Sequence, residues 1–371
     1  MSIKITMPSD VQVLEQITEP LLRWYHAQET DRQLPWREDP SPYHVWLSEI
    51  MLQQTRAAAV IPYYEAFLAA LPTIGNLAAC DDDRLMKLWQ GLGYYSRARN
   101  LKKAAGVIME QHDGQLPADF KALRALPGIG DYTAGAIASI AFGLPAPAVD
   151  GNVLRTVTRL LAWPADILAA STKKATAELL APHYPTGHEA GALNQAFMDL
   201  GATICLPHGT PHCARCPLSR LCLSHAEGRE EEFPHKKPKK ERRKEKLTVF
   251  VLHQGPAIAL RRRPDSGLLA GLWEFPHVDG HLKKAEALQL LQSKGYTIDC
   301  MVPMPAAKHI FSHIEWQMHG YEVWLSDRGD RVAESPADST RGGQELRWIS
   351  LPDVHTSYSI PSAFQHFLPA G

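Results

Sequence analysis

The sequence predicts a multidomain chain, an all-α first part that closes on a metal centre and a smaller α/β part after it, and three observations carry that expectation. Four cysteines, Cys205, Cys213, Cys216 and Cys222, fall within 18 residues as C-x7-C-x2-C-x5-C. Just beyond them, residues 229–246 (REEEFPHKKPKKERRKEK) hold 14 charged side chains in 18 positions and offer almost nothing apolar for burial, the composition of a linker. Across that run the texture of the sequence changes from helical spacing to short β-rich runs.

Each part reads as follows. With 371 residues and 45% hydrophobic content, the chain is long enough for two cores, expected over 1–228 and 247–371. Before the linker, Asp81–Gly91 (DDDRLMKLWQG) and Thr172–Leu180 combine acidic or hydroxyl starts with apolar residues at helical spacing. After it, LTVFVL (Leu247–Leu252), AIALRRR (Ala257–Arg263) and YEVWL (Tyr321–Leu325) read as strands, and Lys283–Lys294 reads as one helix. No repeat of solenoid period is present. The longest uncharged stretch, Thr133–Val149, carries Pro145 and Pro147 and falls short of the ~20 apolar residues of a membrane span. The N-terminal MSIKITMPSDVQVLEQ has no apolar secretory region, so a reducing cytosol is the expected compartment. The net charge of −1 hides an uneven distribution: Lys236–Lys246 has eight basic residues against two acidic, a stretch that can lie along phosphates or serve as a plain solvated tether.

Four thiols in short loops can converge on a tetrahedral zinc or on the corners of an iron–sulfur cluster. Two disulfides are the alternative, disfavoured by the absence of any sign of an oxidising compartment. Cys80 and Cys300 are isolated in sequence.

The most specific segment is LPGIGDYTAGAI (Leu126–Ile137). Gly128 and Gly130 suit a tight turn between two helices over about 120–140, whose amide N–H groups can approach a phosphate without a Cβ in the way. Alone it would be an ordinary helical turn. Twenty residues after Gly130 comes AVDGNVLR (Ala148–Arg155), where Asp150 stands in an N-cap position; bonds from helix N–H groups are expected to lower its pKa and keep it ionised.

A G-x-G hairpin, an aspartate about twenty residues on and a terminal four-cysteine cluster together resemble the endonuclease-III superfamily of DNA base-excision glycosylases. Within it, LPWRED (Leu34–Asp39), VWLSEIMLQQTR (Val45–Arg56), LWQGLGYYSRARNL (Leu88–Leu101) and NQAFMDLGATIC (Asn194–Cys205) look like the adenine DNA glycosylase (MutY) family. The resemblance implies a helix-hairpin-helix glycosylase domain with a [4Fe–4S] cluster on Cys205, Cys213, Cys216 and Cys222. It implies hydrolysis of the N-glycosidic bond of adenine mispaired with 8-oxoguanine or guanine in double-stranded DNA, by a monomer. Glu49, inside an apolar run, would be the general acid with a pKa raised by burial, although Glu49, Gln53 and Arg56 also fit an exposed helical stripe. Asp150 would stabilise the developing sugar cation, by electrostatics or by a transient covalent bond, with Asn152 orienting it or the water. Tyr132 stands where bifunctional relatives carry the Schiff-base lysine, which implies a monofunctional enzyme; a core-packing tyrosine is its structural alternative.

Base flipping needs wedges, for which Gln54 and Tyr94 match, with Thr55 and Leu92 beside them. Arg32, Trp36 and Arg37 are expected to line the adenine pocket. The second part resembles a Nudix-like domain, SGLLAGLWEFP (Ser266–Pro276) leading to where paired magnesium-binding glutamates would follow, but no R-E-x-x-E-E is present downstream of Gly271. Recognition of 8-oxoguanine through Phe311, Ser312 and His313 is the implied role. Two departures stand out: Asp131 brings a negative charge next to the hairpin glycines, and seven residues separate Cys205 from Cys213 where the family pattern has six. Pro207, Gly209 and Pro211 suit a bulged turn that absorbs the extra residue. A bifunctional glycosylase-lyase, a DNA-binding module without catalysis and a Nudix-type nucleotide sanitiser are the competing readings.

Overall fold

The computed structural model describes residues 11–27, 32–237, 241–326 and 346–369. Three residues of the charged run, 238–240, and the first ten residues lie outside the described residues. Two compact units emerge, one formed by Met1–Ala79 with Asn100–Pro238, the other by Cys80–Arg99 with Lys239–Gly371.

Every named element among the described residues of the first unit is a helix. Its core interlocks Leu21 from the helix Thr18–His26, Val153 and Val157 from Gly151–Leu160, and Phe197 and Leu200 from His188–Thr203. The apolar positions of Gly151–Leu160 recur at helical spacing, and from Val153 onward the helix is buried all round, its polar residues included. Helices Phe120–Ala125 and Asp131–Ile140 form the expected hairpin, the first capped by Asp119, which accepts from Ala122 N at 2.7 Å. The turn requires glycine at 128: φ is +77°, and a Cβ there would stand 2.6 Å from Cβ of Asn100. Gly130 is extended (φ −93°, ψ −179°) with open space where a Cβ would go, so the fold itself makes no demand for glycine there.

The second unit is built on a seven-stranded sheet among the described residues. Its strands are β1 (Arg243–Gln254), β2 (Ala257–Arg262), β3 (Trp273–Glu274), β4 (His277–Asp279), β5 (Ile298–Ile310), β6 (Ile314–Leu325) and β7 (Leu346–Ser350). The order is β3-β2-β1-β6-β5, with β4 pairing β1 and β7 pairing β2; β1 and β6 run parallel and the other pairs antiparallel. Alternation along β1 divides two cores. Leu247, Val249 and Val251 join Trp316 and Phe364 on one face, while Phe250 and Leu252 join Leu291 of the helix Lys284–Ser293 on the other.

Several expectations change. β1 starts at Arg243, so the charged run already enters the sheet before its end, and Phe233 within it is buried. β5 was not expected, because Pro303 and Pro305 interrupt it; among the described residues it pairs only with β6, at an edge, where missing donors are tolerated. Cys80–Arg99, read as part of the helical domain, joins the second unit. Lys87 Nζ donates to His355 O at 2.6 Å, Gln90 Nε2 to Ile360 O at 3.2 Å, and Trp273 Nε1 to Asp83 Oδ1 at 3.1 Å. None of the helices is long and apolar enough to cross a membrane among the described residues.

Candidate active site

The helix Pro42–Leu52 is apolar almost all round and therefore buried on most of its surface, and it takes Glu49 inside with it, 4% exposed. The exposed-stripe reading is thereby excluded. Burial pushes the carboxyl from 4.5 up to about 7; the hydrogen bond from Tyr132 lowers it, the charge of Asp150 raises it and Arg37 lowers it. Tyr132 Oη donates to Glu49 Oε2 at 2.6 Å, and the ammonium of Lys173 stands 5.9 Å from the centroid of its ring.

Asp150 is the N-cap of Gly151–Leu160. Its Oδ1 accepts from Asn152 N and Val153 N at 2.8 Å each, and its Oδ2 from Asn152 Nδ2 at 2.8 Å. The expected downward shift of its pKa does not result. Burial outweighs the helix amides and the Arg155 charge, so the group moves up from its ordinary value. The approach to Asp150 is splinted by Asn194, whose Oδ1 accepts from Ala148 N at 2.8 Å and whose Nδ2 donates to Ala146 O at 2.9 Å.

Glu49, Asp150, Asn152 and Tyr132 share one pocket with Arg32, Trp36, Arg37 and Thr55. Trp36 lines it and is also a core side chain, packed edge-on to Tyr64 at 5.5 Å. Of two residues that the sequence reading left without a role, Gln195 completes the wall, and Asp199 stands behind Arg32 and Arg37. Gln195 accepts from Tyr25 Oη, and the fully buried Asp199 binds both guanidiniums. An acid on the apolar helix His188–Thr203, in the quoted run NQAFMDLGATIC, was the signal for Asp199.

Gln54 is exposed with φ +59°, and Tyr94, 47% exposed, has φ +48°; both hold a left-handed backbone unusual for side-chain-bearing residues. Leu92, expected beside Tyr94 where the partner base would be gripped, is buried. Asp131 turns to Arg124, whose Nε donates to it, in an exposed pair that draws its charge toward a cation. In the second unit the loop between β5 and β6 anchors Phe311 edge-on against Trp316 at 4.9 Å and leaves Ser312 and His313 exposed. Ser312 Oγ lies 3.3 Å from Tyr94 Oη.

The four cysteines line one cavity. Ile204 O accepts from Leu206 N at 3.0 Å and from His212 N at 2.9 Å, closing the loop at its base, while residues 207–210 are exposed. The extra residue bulges outward. Arg159 NH1 donates to Cys205 Sγ at 3.2 Å, and Arg155, also buried, gives Nε to Cys205 O at 2.8 Å and NH2 to Asn152 Oδ1 at 2.9 Å. Cys213 is joined by His225 and Glu230, two further potential donors close to it.

A carboxylic acid poised near neutrality beside a capped aspartate, in a helical unit built on a G-x-G hairpin, defines a base-excision DNA glycosylase. The family model for HhH-GPD superfamily base excision DNA repair proteins matches residues 47–182, and a NUDIX domain model matches 248–370. The chain is 34% identical to "Adenine DNA glycosylase" of Mus musculus over an alignment of 428 residues, covering 97% of this chain and 79% of that one. It is 34% identical to the protein of that name from Buchnera aphidicola subsp. Acyrthosiphon pisum, covering 79% and 82%. The chain belongs to the adenine DNA glycosylase family. Among solved structures it resembles a thermostable thymine-DNA glycosylase, with a TM-score of 0.51 and 28% identity, covering 58% of this chain and 98% of that chain.

Proposed function

We propose that the enzyme is a monofunctional glycosylase that hydrolyses the N-glycosidic bond of adenine opposite 8-oxoguanine or guanine, after turning the adenine out of the duplex. The observation that carries this reading is the buried Glu49, whose carboxyl sits at about 7 in the same pocket as Asp150. At neutral pH a protonated fraction of Glu49 can supply the proton that a departing adenine needs on a ring nitrogen. Tyr132 holds the acid through its 2.6 Å bond. As the sugar gains cationic character, ionised Asp150 stabilises it, whether or not a covalent bond forms on the way; its three bonds at 2.8 Å fix the carboxylate in place. Tyr132 has no amine with which to form an imine, so elimination at the abasic sugar has no nucleophile at that position.

In this reading the helical part (1–228) carries the chemistry, the charged run (229–246) is the linker and 247–371 reads the opposing base. Exposed Ser312 offers a hydroxyl to the N7 edge that separates 8-oxoguanine from guanine, with Phe311 as its anchor and His313 beside it. Gln54 and Tyr94 serve as wedges, and the N–H groups at Gly128 and Gly130 receive a phosphate. The enzyme acts as a monomer on DNA, consistent with a nucleoid-associated place in the cytoplasm.

The residues present fit a [4Fe–4S] cluster. Cys205, Cys213, Cys216 and Cys222 surround one cavity, and the buried guanidinium of Arg159 lines it and donates to Cys205 Sγ, as an anionic centre needs. Those four cysteines would hold the cluster, which when bound supplies iron–thiolate bonds that cross-link the loop.

Single-turnover incubation with a duplex containing A:8-oxoguanine, followed by alkali, is the test. Strand scission after alkali only, lost in Glu49→Gln, is the expected result. Scission without alkali and an adduct trapped by borohydride would favour the lyase reading, and release of pyrophosphate from 8-oxo-dGTP the nucleotide sanitiser.

A further inference from the structure

Asp199 is a fully buried carboxylate facing two cations. Its Oδ1 accepts from Arg32 NH1 at 2.5 Å and from Arg37 NH2 at 2.9 Å, and its Oδ2 from Arg37 NH1 at 2.8 Å. Both arginines line the pocket of Glu49. An isolated buried aspartate is costly, and an aspartate shared between two guanidiniums leaves the group with one excess positive charge on the pocket wall. That wall acts on the acid: the Arg37 charge lowers the Glu49 pKa, against burial and the Asp150 carboxylate, which raise it. The other groups around Glu49 are Tyr132 from Asp131–Ile140, the Asp150 cap with Asn152 from the start of Gly151–Leu160, and the uncharged Gln195 from the helix that carries Asp199. Tyr25 lies beyond Arg37, its ring centroid 5.9 Å from the guanidinium carbon, and Lys173 beyond Tyr132.

We propose that Asp199 is a positioning residue of the base pocket, which fixes the forks of Arg32 and Arg37 as its polar wall and offsets their charge so that Glu49 keeps its proton in the working pH range. The proposal rests on Glu49 being the general acid. Without the Asp199 charge, two uncompensated guanidiniums favour the carboxylate form of Glu49, and the proton is lost at lower pH. Arg37 also loses the bidentate clamp that orients it and Arg32 its single bond, so the bound base loses a defined wall. A residue that merely packed the core would leave the position of the pH limb alone.

The test is the pH profile of the single-turnover rate on the A:8-oxoguanine duplex, for the wild-type full chain and for Asp199→Asn and Asp199→Glu, alongside thermal melting. Asp199→Asn should move the alkaline limb toward acid by roughly one pH unit, with a loss of about tenfold at pH 7.5 that shrinks toward pH 6. Asp199→Glu should return the limb toward its wild-type position. If Asp199→Asn does not fold, Arg32→Gln decides. It leaves one arginine to one aspartate, and the limb should move to higher pH. A limb that stays put in Asp199→Asn, or in Arg32→Gln where that variant decides, overturns the assignment, whatever happens to the melting temperature. A wild-type chain that removes no adenine at any pH refutes the earlier functional reading instead.

Discussion

The Tyr132 hydroxyl donates to the Glu49 carboxyl at 2.6 Å, and it is the largest influence holding that acid's pKa down against burial. Activity that needs protonated Glu49 must fall as pH rises through about 7. Tyr132→Phe removes the bond, so the limb should move to higher pH while orientation is lost. A rate reduction of about 10- to 100-fold at the optimum is expected from single-turnover kinetics.

Glu49 also carries a stability cost with a definite sign. Between 4.5 and about 7 the folded chain holds a proton that the unfolded chain releases, so stability declines as pH rises across that window. Glu49→Gln should therefore be inactive yet more stable, by up to about 3 kcal/mol at pH 8. The gain should fade toward pH 5. Melting curves at both pH values check it; equal gains at the two would contradict the burial argument.

Asp150 has separable roles as cap and as charge. Asp150→Asn keeps an oxygen for the Asn152 and Val153 amides and removes the charge, so excision should fall at least about 1000-fold with little change in melting temperature. Asp150→Ala should lose both activity and about 1 kcal/mol of stability.

The two hairpin glycines should part company. Gly128→Ala forces a Cβ into Asn100 at a positive φ and should destabilise the fold by about 1–3 kcal/mol. Gly130→Ala meets open space on extended backbone, so melting should be unchanged while DNA affinity drops if a phosphate approaches there. Binding isotherms at fixed salt, set beside melting curves, distinguish the two effects.

Isolated protein should show a broad absorbance near about 400 nm from sulfur-to-iron charge transfer, and chelation of the iron should remove the band and lower the melting temperature. Cys205 reaches the site by the longer loop, so Cys205→Ser is the substitution expected to leave a three-iron cluster.

The hairpin, Glu49 and Asp150 were legible because each depends on a local pattern: paired glycines, an acid inside an apolar run, a cap before a helix. Asp199 carries the same pattern of an acid inside an apolar run, but its role is not legible from it, since its partners Arg32 and Arg37 lie far away in sequence and no local rule pairs them. The direction of the Asp150 shift was misread for a related reason: the amides that cap it are local, but the burial that outweighs them is tertiary. Pro303 and Pro305 hid β5, whose place at a sheet edge is a property of topology.

Because Cys80–Arg99 belongs with the second unit, that unit is assembled from two stretches of chain with most of the first unit's sequence between them. A ribosome delivers Met86, Lys87 and Gln90 long before Ser359, His355 and Ile360, whose hydrogen-bonding groups they meet. The nascent helical portion must therefore carry this segment unmatched until synthesis is nearly finished. A chain that stopped before β1 would strand it permanently, because Ser359, His355 and Ile360 would never be made.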